Sequence, residues 1–318
     1  MSLDRDAKNW LHGRFGPNIK FDEPMSKHTY FRIGGPAEAY LLPRSQRDLI
    51  EVIVWAGQTQ QPYLIIGDGT NLLVKDTGIP GLVIGLRKCL NQISYTYGGA
   101  ENTLVTAGAG ARLQRLCKFA IEAGLAGLNF AIGIPGTVGG GIMMNAGTAE
   151  GAMENVLESI EVMLPNGQMA GLEREKLDFR YRALSFKPVM DTNYRKKPII
   201  LEGSFKLKKS DARHLQREAR ALLDSRNKTQ PLHYPSAGCF FKNPPAGKTA
   251  GELIELAGLK GRRVGDAEIS AKHANFIVNS GRATCADVIA LMEIVQESVS
   301  KLFNIALEPE VKIIGRQE

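Results

Sequence analysis

The apolar positions of this chain recur with two periods, and the changes between them mark its elements. Between Ser45 and Gly57, Leu49, Val52, Ile53 and Ala56 fall every three or four residues, the spacing of one buried helical face, and Ser45 stands where a cap is needed. The same spacing joins Leu113, Leu116, Cys117, Ala120 and Ile121, with Gly124 closing the helix. It returns in Val288, Leu291, Met292, Val295, Val299 and Leu302, which predict a last helix over Ala286 to Phe303. A more polar helix is predicted from a Ser210 cap towards Asn227. Leu215, Ala219, Leu222 and Leu223 form its apolar stripe, and Arg213, Arg217, Arg220 and Arg226 read as a solvated face. Thr249 and Glu252 have the spacing of a capping box. Strands are predicted at Tyr63 to Ile66, Leu82 to Leu86, Asn102 to Ala107, Ile199 to Leu207 and Glu310 to Ile314, with a turn and short strand within residues 28–44. Ser159 to Leu172 reads as a hairpin turning at Asn166 and Gly167. The helix after Ser45 and its flanking strands make a βαβ-like unit. Elsewhere the alternation is too irregular for a doubly wound sheet, so the fold class is α+β.

The chain has 318 residues, 43% of them hydrophobic, enough for two or three domains with cores of their own. The uncharged run Ala123 to Ala149 is long enough to span a bilayer, but eight glycines, Pro135, Asn129 and Asn145 argue against a membrane helix. The N-terminus holds no apolar stretch of signal-peptide type, which makes a cytoplasmic location the default expectation. A formal net charge of +7 favours anionic partners. The basic residues are dispersed, apart from short clusters such as Arg195 to Lys197 and Lys206 to Lys209, so small phosphorylated ligands rank above nucleic acid or a membrane surface. Cys89, Cys117, Cys239 and Cys285 form no CxxC pair and the histidines have no ligand spacing, so neither a disulfide framework nor a metal site is expected. Cys117 and Cys285 read as small residues of helical cores.

The candidate chemistry lies in two glycine-rich segments. Ala131 to Gly147 (AIGIPGTVGGGIMMNAG) holds six glycines in seventeen residues and no charge, and Gly67 to Val74 (GDGTNLLV) precedes it. Alone, the shorter loop would be an ordinary tight turn. Two such loops supply backbone N–H groups that can be brought against a phosphate or a flat ring.

Seven segments in order give the chain its resemblance: Thr29 to Gly35 (TYFRIGG), Gly67 to Val74, Gly133 to Gly147, Phe179 to Arg182, Ser236 to Pro244 (SAGCFFKNP), His273 to Asn279 (HANFIVN) and Leu307 to Gly315 (LEPEVKIIG). Together they resemble the UDP-N-acetylenolpyruvoylglucosamine reductases, flavoenzymes of bacterial peptidoglycan synthesis and so of cell-wall biogenesis. The short span between Tyr181 and Ile199 is similar to the subclass lacking an extra substrate-covering loop. The resemblance implies residues 1–85 with 306–318 and residues 86–209 as two halves of an FAD-binding scaffold of the PCMH/vanillyl-alcohol-oxidase type. Residues 210–305 would form an α+β domain over the UDP-sugar, and the closing strand would return to the first domain. It implies non-covalent FAD, held by Arg32, by Gly67, Asp68, Gly69, Thr70 and Asn71, and by Gly133, Gly136, Thr137, Gly140 and Gly141.

In the reaction it implies, NADPH supplies a hydride that reaches C3 of the enolpyruvyl group through the flavin. Arg182 and Glu310 would stabilise the charge that develops on C2 and its carboxylate. Cys239 departs from the family's usual serine and would donate the proton to C2, with a thiolate's susceptibility to oxidation as a liability. Tyr181, Lys242 and Asn243 would contact the substrate, and His273 and Asn275 would support the fold. No nucleic acid, membrane or metal partner is expected, and a monomer or weak dimer is. The alternatives are an FAD-dependent oxidase on the same scaffold and a non-catalytic basic nucleotide-binding module.

Overall fold

The computed structural model describes residues 2–97, 102–186 and 198–316. It opens on a helix the mixed polar N-terminus did not lead one to expect, α1 (Arg5–Phe15), whose buried stripe is only Ala7, Leu11 and Phe15. Asp4 caps it, accepting from the Ala7 amide at 2.8 Å. Helix α2 (Gln46–Gln58) starts at Ser45, whose hydroxyl accepts from the Asp48 amide at 3.1 Å. Trp10 of α1 stacks on Trp55 of α2 with ring centroids 4.6 Å apart. The strands on either side of α2, Pro36–Leu41 and Tyr63–Ile66, both run parallel to Ile79–Gly85, the strand expected at Leu82 to Leu86. Ile19–Pro24 completes this four-stranded sheet as an antiparallel edge.

The second sheet is antiparallel. Its order is Met169–Glu173, Leu157–Met163, Ile199–Lys209, Asn102–Gly108, Ile93–Tyr97, with Leu125–Ala126 paired to the far end of the long central strand. The expected hairpin is present and turns through Gly167 at φ +86°, while Asn166 Oδ1 accepts from the Gln168 amide at 3.0 Å. Helices α3 (Leu113–Glu122) and α4 (Val138–Met143) belong to this half. The uncharged run of Ala123 to Ala149 thus breaks into a two-residue strand, turns and the short α4. No helix among the described residues is long and apolar enough to cross a membrane.

Helix α5 (Ala212–Thr229) leads to the third unit. Asp211 caps it, accepting from the His214 amide at 2.7 Å, whereas the expected cap Ser210 is still tied to the preceding strand region through the Gly124 carbonyl at 2.8 Å. A four-stranded antiparallel sheet follows, in the order Ser236–Cys239, Phe276–Asn279, Ala267–Ile269, Arg263–Val264. Helices α6 (Ala250–Leu256) and α7 (Cys285–Phe303) start with capping boxes, Thr249 with Glu252 and Thr284 with Asp287. The last strand, Lys312–Ile314, leaves this unit and pairs in parallel with Leu72–Val74, as the resemblance implied. The expected α+β architecture is present. Residues 187–197, which include Arg195 to Lys197 and most of the span behind the subclass assignment, lie outside the described residues.

One buried cluster runs through the first two sheets, while a second packs α6, α7 and the third sheet around Phe31, Ile33 and Leu73 of the first unit. A polar latch reinforces the second contact. Asp76 Oδ1 and Oδ2 accept from the amides of Cys285 and Ala286, the first two residues of α7, at 3.0 and 3.1 Å. A carboxylate there satisfies two orphan donors and faces the positive end of the helix. Asp76→Ala is therefore expected to cost about 1–2 kcal/mol of stability. A urea titration checks this, and an unchanged midpoint would show that water serves those amides equally well.

Candidate active site

The two glycine-rich loops meet. Gly67 follows the strand Tyr63–Ile66, and a Cβ there would lie 2.2 Å from Thr137 Oγ1. That hydroxyl caps α4 by accepting from the Gly140 amide at 3.4 Å. Thr70 Oγ1 donates to the Pro135 carbonyl at 3.3 Å, a second tie between the loops. Gly69 has φ +65°, and a Cβ on it would lie 2.1 Å from the His28 carbonyl oxygen, so this loop also presses on the segment carrying Arg32. Arg32 itself is exposed and left-handed at φ +55°. Beside the contact lies a cavity of about 410 Å³ whose walls include Lys27, Arg32, Arg87, Tyr30, Tyr40 and Tyr234.

These features fit FAD. Among the described residues, the amides of Asp68, Thr70, Gly136 and Thr137 donate to no group of the chain, while Lys27, Arg32 and Arg87 supply positive charge nearby. Unused amides with fixed cations suit a pyrophosphate. The contributions of the expected residues differ. Asp68 offers its backbone, because its side chain, 3% exposed, is turned between Arg87 and Arg112 at 3.5 Å from each. Gly140 is exposed, but Gly141 is buried, and a Cβ on it would come within 3.0 Å of Leu113. Gly133 has a packing role, since a Cβ there would lie 2.4 Å from Arg226 Cδ.

Past the loops, three separated segments converge. Arg182 occupies the second position of a two-residue turn between Leu177–Arg180 and Ala183–Phe186, at φ +57°. Its Nε lies 2.9 Å from Glu310 Oε1, with the side chains 21% and 16% exposed. The approach is off the N–H axis, so the Nε–H has no aligned acceptor and keeps donor capacity for a ligand. Glu310 is fixed from both sides. Its amide donates to the Phe240 carbonyl at 2.8 Å, and its own carbonyl accepts from Asn71 Nδ2 at 3.2 Å. Asn71, expected at the cofactor, therefore directs its side chain to the backbone that carries Glu310. Burial raises the Glu310 carboxyl above its usual range, and Arg182, then Lys242 and Lys312, draw it back.

Cys239 ends the strand that precedes Phe240. Burial pushes its thiol up to about 11 and the charge of Glu310 adds to this, while Arg182 and Arg226 pull the other way. Burial therefore favours the protonated thiol over the thiolate, the form on which the expected oxidation liability rests.

Arg226 is the residue that the sequence reading missed. It was counted in the solvated face of α5, yet it is partly buried against Gly133, with Nη2 donating to Gln230 Oε1 at 3.0 Å. Burial lowers its guanidinium from the usual value against the pull of Cys239 and Glu150. The signal was present: Leu215, Ala219, Leu222 and Arg226 follow one another at steps of four, three and four, on a single stripe.

Other expected residues sit around this centre. Tyr181 is 52% exposed at the turn, with its ring 5.0 Å from the Arg182 guanidinium. Lys242 Nζ pairs with Glu308 at 3.0 Å, and Asn243 Oδ1 accepts from the Ala250 amide at 3.1 Å, at the start of α6. Asn275 supports the fold as expected, exchanging two hydrogen bonds with the backbone of Phe241, at 2.9 and 2.8 Å.

Paired amide-rich loops beside a polar centre of arginine, glutamate and thiol define an FAD-binding oxidoreductase. Residues 37–172 match the model of an FAD binding domain, and residues 230–314 match that of the UDP-N-acetylenolpyruvoylglucosamine reductase C-terminal domain. The reductase of that name from Desulfosudis oleivorans is 43% identical over 314 residues, covering 99% of this chain and all of its own length. That from Agathobacter rectalis is 45% identical over 301 residues, covering 92% and 93%. The crystal structure of the Thermus caldophilus reductase superposes with a TM-score of 0.75 at 36% identity, over 93% of this chain and 97% of that one. The chain belongs to the UDP-N-acetylenolpyruvoylglucosamine reductase family.

The contact between the loops gives a direct test. In Gly67→Ala, the added methyl and the Thr137 hydroxyl compete for one place, and displacing the hydroxyl also uncaps α4. Overpacking of this kind costs about 1–3 kcal/mol, so FAD affinity of the apoprotein should fall about tenfold or more. Quenching of flavin fluorescence measures it, and an unchanged affinity would mean that the contact does not shape the cofactor site.

Proposed function

We propose that this protein reduces UDP-N-acetylglucosamine enolpyruvate to UDP-N-acetylmuramate with NADPH, as an FAD-dependent step of peptidoglycan precursor synthesis. The observation that carries the reading is the partly buried Arg182–Glu310 pair at 2.9 Å, with both charges acting on the Cys239 thiol. The chemistry that FAD would supply when bound is hydride transfer between NADPH and C3 of the enolpyruvyl group. Arg32, the backbone of residues 67–71, Gly136, Thr137 and Gly140 would hold the cofactor.

The remaining work belongs to the chain. As negative charge grows on C2 and the adjoining carboxylate, the Arg182 guanidinium lies in a partly desolvated site where fixed charge acts strongly. Glu310, ionised and paired with Arg182 in the resting site, takes up a proton as the substrate carboxylate approaches and hydrogen-bonds it. Cys239 Sγ gives its proton to C2, and the positive charges of Arg182 and Arg226 stabilise the thiolate left behind. Lys242 and Asn243 border the same strand end, and on this reading they reach the substrate's phosphates or carboxylate. We take residues 1–85 with 306–318, residues 86–209 and residues 210–305 as the three domains. The return of strand Lys312–Ile314 to Leu72–Val74 supports the first of these boundaries. On this reading the enzyme works in the cytoplasm as a monomer or weak dimer.

The sign of the Cys239 shift makes the reading testable. The donor is active while protonated, so raising its pKa extends activity upward in pH. The sugar half-reaction should hold its rate through the ordinary thiol range, about pH 8.5, and decline only towards about 11. Rapid-mixing absorbance of the flavin band, first with NADPH and then with the enolpyruvyl sugar, gives that profile. A decline centred at the ordinary thiol value would remove Cys239's enclosed environment from the account. In the same assay Cys239→Ser should turn over and Cys239→Ala should lose about a hundredfold or more. Parental activity in Cys239→Ala would exclude the thiol as donor.

A further inference from the structure

Asn145 stands just past the end of α4, in the left-handed region at φ +40°. It closes that helix: its amide donates to the Ile142 carbonyl at 3.0 Å, and the Ala146 amide reaches back to Gly141 at 2.8 Å. Such a closure is most often built on glycine, since a Cβ in this conformation carries a steric cost. Asparagine accepts that cost and keeps a side chain, which is 3% exposed with both polar atoms engaged. Nδ2 donates to Glu154 Oε1 at 3.0 Å and to the Arg180 carbonyl at 3.2 Å, while Oδ1 accepts from the Glu154 amide at 3.1 Å. Arg180 is the last strand residue before the Tyr181-Arg182 turn, and Arg182 is itself left-handed at φ +57°. A non-glycine residue in that region persists where its surroundings hold it there.

We infer that Asn145, buttressed by Glu154, is the positioning residue for Arg182, and that it holds the guanidinium in the same frame as the cofactor loop. Its side chain grips the turn that aims Arg182, and its backbone ends the helix that Thr137 begins. Asn71, at the end of the other glycine loop, grips the carbonyl of Glu310. Each half of the ion pair is thus tied to a different cofactor loop. The inference rests on the role given to Arg182 above.

Asn145→Gly is the informative variant, because glycine suits the helix closure and removes only the side chain. In the holoenzyme it should fold, keep FAD and still be bleached by NADPH, while return of the band on adding the enolpyruvyl sugar slows by about a hundredfold, the scale of an ångström-level misplacement. A crystal structure of the variant without sugar should show Arg182 withdrawn from Glu310. Glu154→Ala should slow the same step, and Glu154→Gln, which keeps an acceptor oxygen, should restore it. A parental rate in Asn145→Gly overturns the inference, as does equal slowing of both half-reactions. Arg182→Ala separates the two levels. If it is inactive while Asn145→Gly is normal, only the positioning role falls; if it is active, the role of Arg182 itself falls.

Discussion

The ion pair between Arg182 and Glu310 is the constraint around which this site is built. A carboxylate and a guanidinium held at partial burial give up part of their hydration, and attraction repays that only when geometry and further hydrogen bonds are good. Here the two side chains come from the turn of a separate two-stranded hairpin and from the segment leading into the closing strand. Neither holds itself. Glu310 hangs between the Phe240 carbonyl and Asn71, and Arg182 sits on a turn whose flank Asn145 grips. The parallel pairing of Lys312–Ile314 with Leu72–Val74 sets the direction from which Glu310 arrives. The lone closing strand is therefore an element of the site.

The pair also defines the environment of Cys239. Removing a thiol from water disfavours its charged form, and Glu310 adds to this. The two arginines oppose the shift without cancelling it. Such an arrangement favours the protonated thiol and leaves two positive charges facing its sulfur.

Glycine and asparagine divide the remaining work. Gly67 lets two loops approach to a distance no side chain allows, and Gly133 makes room for Arg226. Asn71 and Asn145 stand where those loops end and turn their amides to the carbonyls of Glu310 and Arg180. The two glycine-rich loops and the Arg182–Glu310 pair are consequently parts of one hydrogen-bonded frame.

Much of the fold was legible along the chain, because caps and periodic apolar stripes are local. Ser45, Gly167 and the Thr249–Glu252 box act within a few residues of themselves, and the structure shows them doing so. The order of motifs fixed the family, and with it the expectation that Arg182, Cys239 and Glu310 meet. Local pattern did not show α1, whose buried stripe is one residue wide, nor the cap at Asp211, where the Gly124 carbonyl holds Ser210. The destinations of side chains were not legible either. Arg226 shares its stripe with leucines, but only packing against Gly133 reveals what that stripe faces. Asn71, Asp68 and Asn145 look alike as polar residues beside glycines, and their distinct partners lie far away in the chain. Sequence by itself determined most of the elements, the family and the set of candidate residues. Tertiary structure alone decided which charges share a desolvated space, because electrostatic coupling depends on distance and burial, and neither is a property of position along the chain.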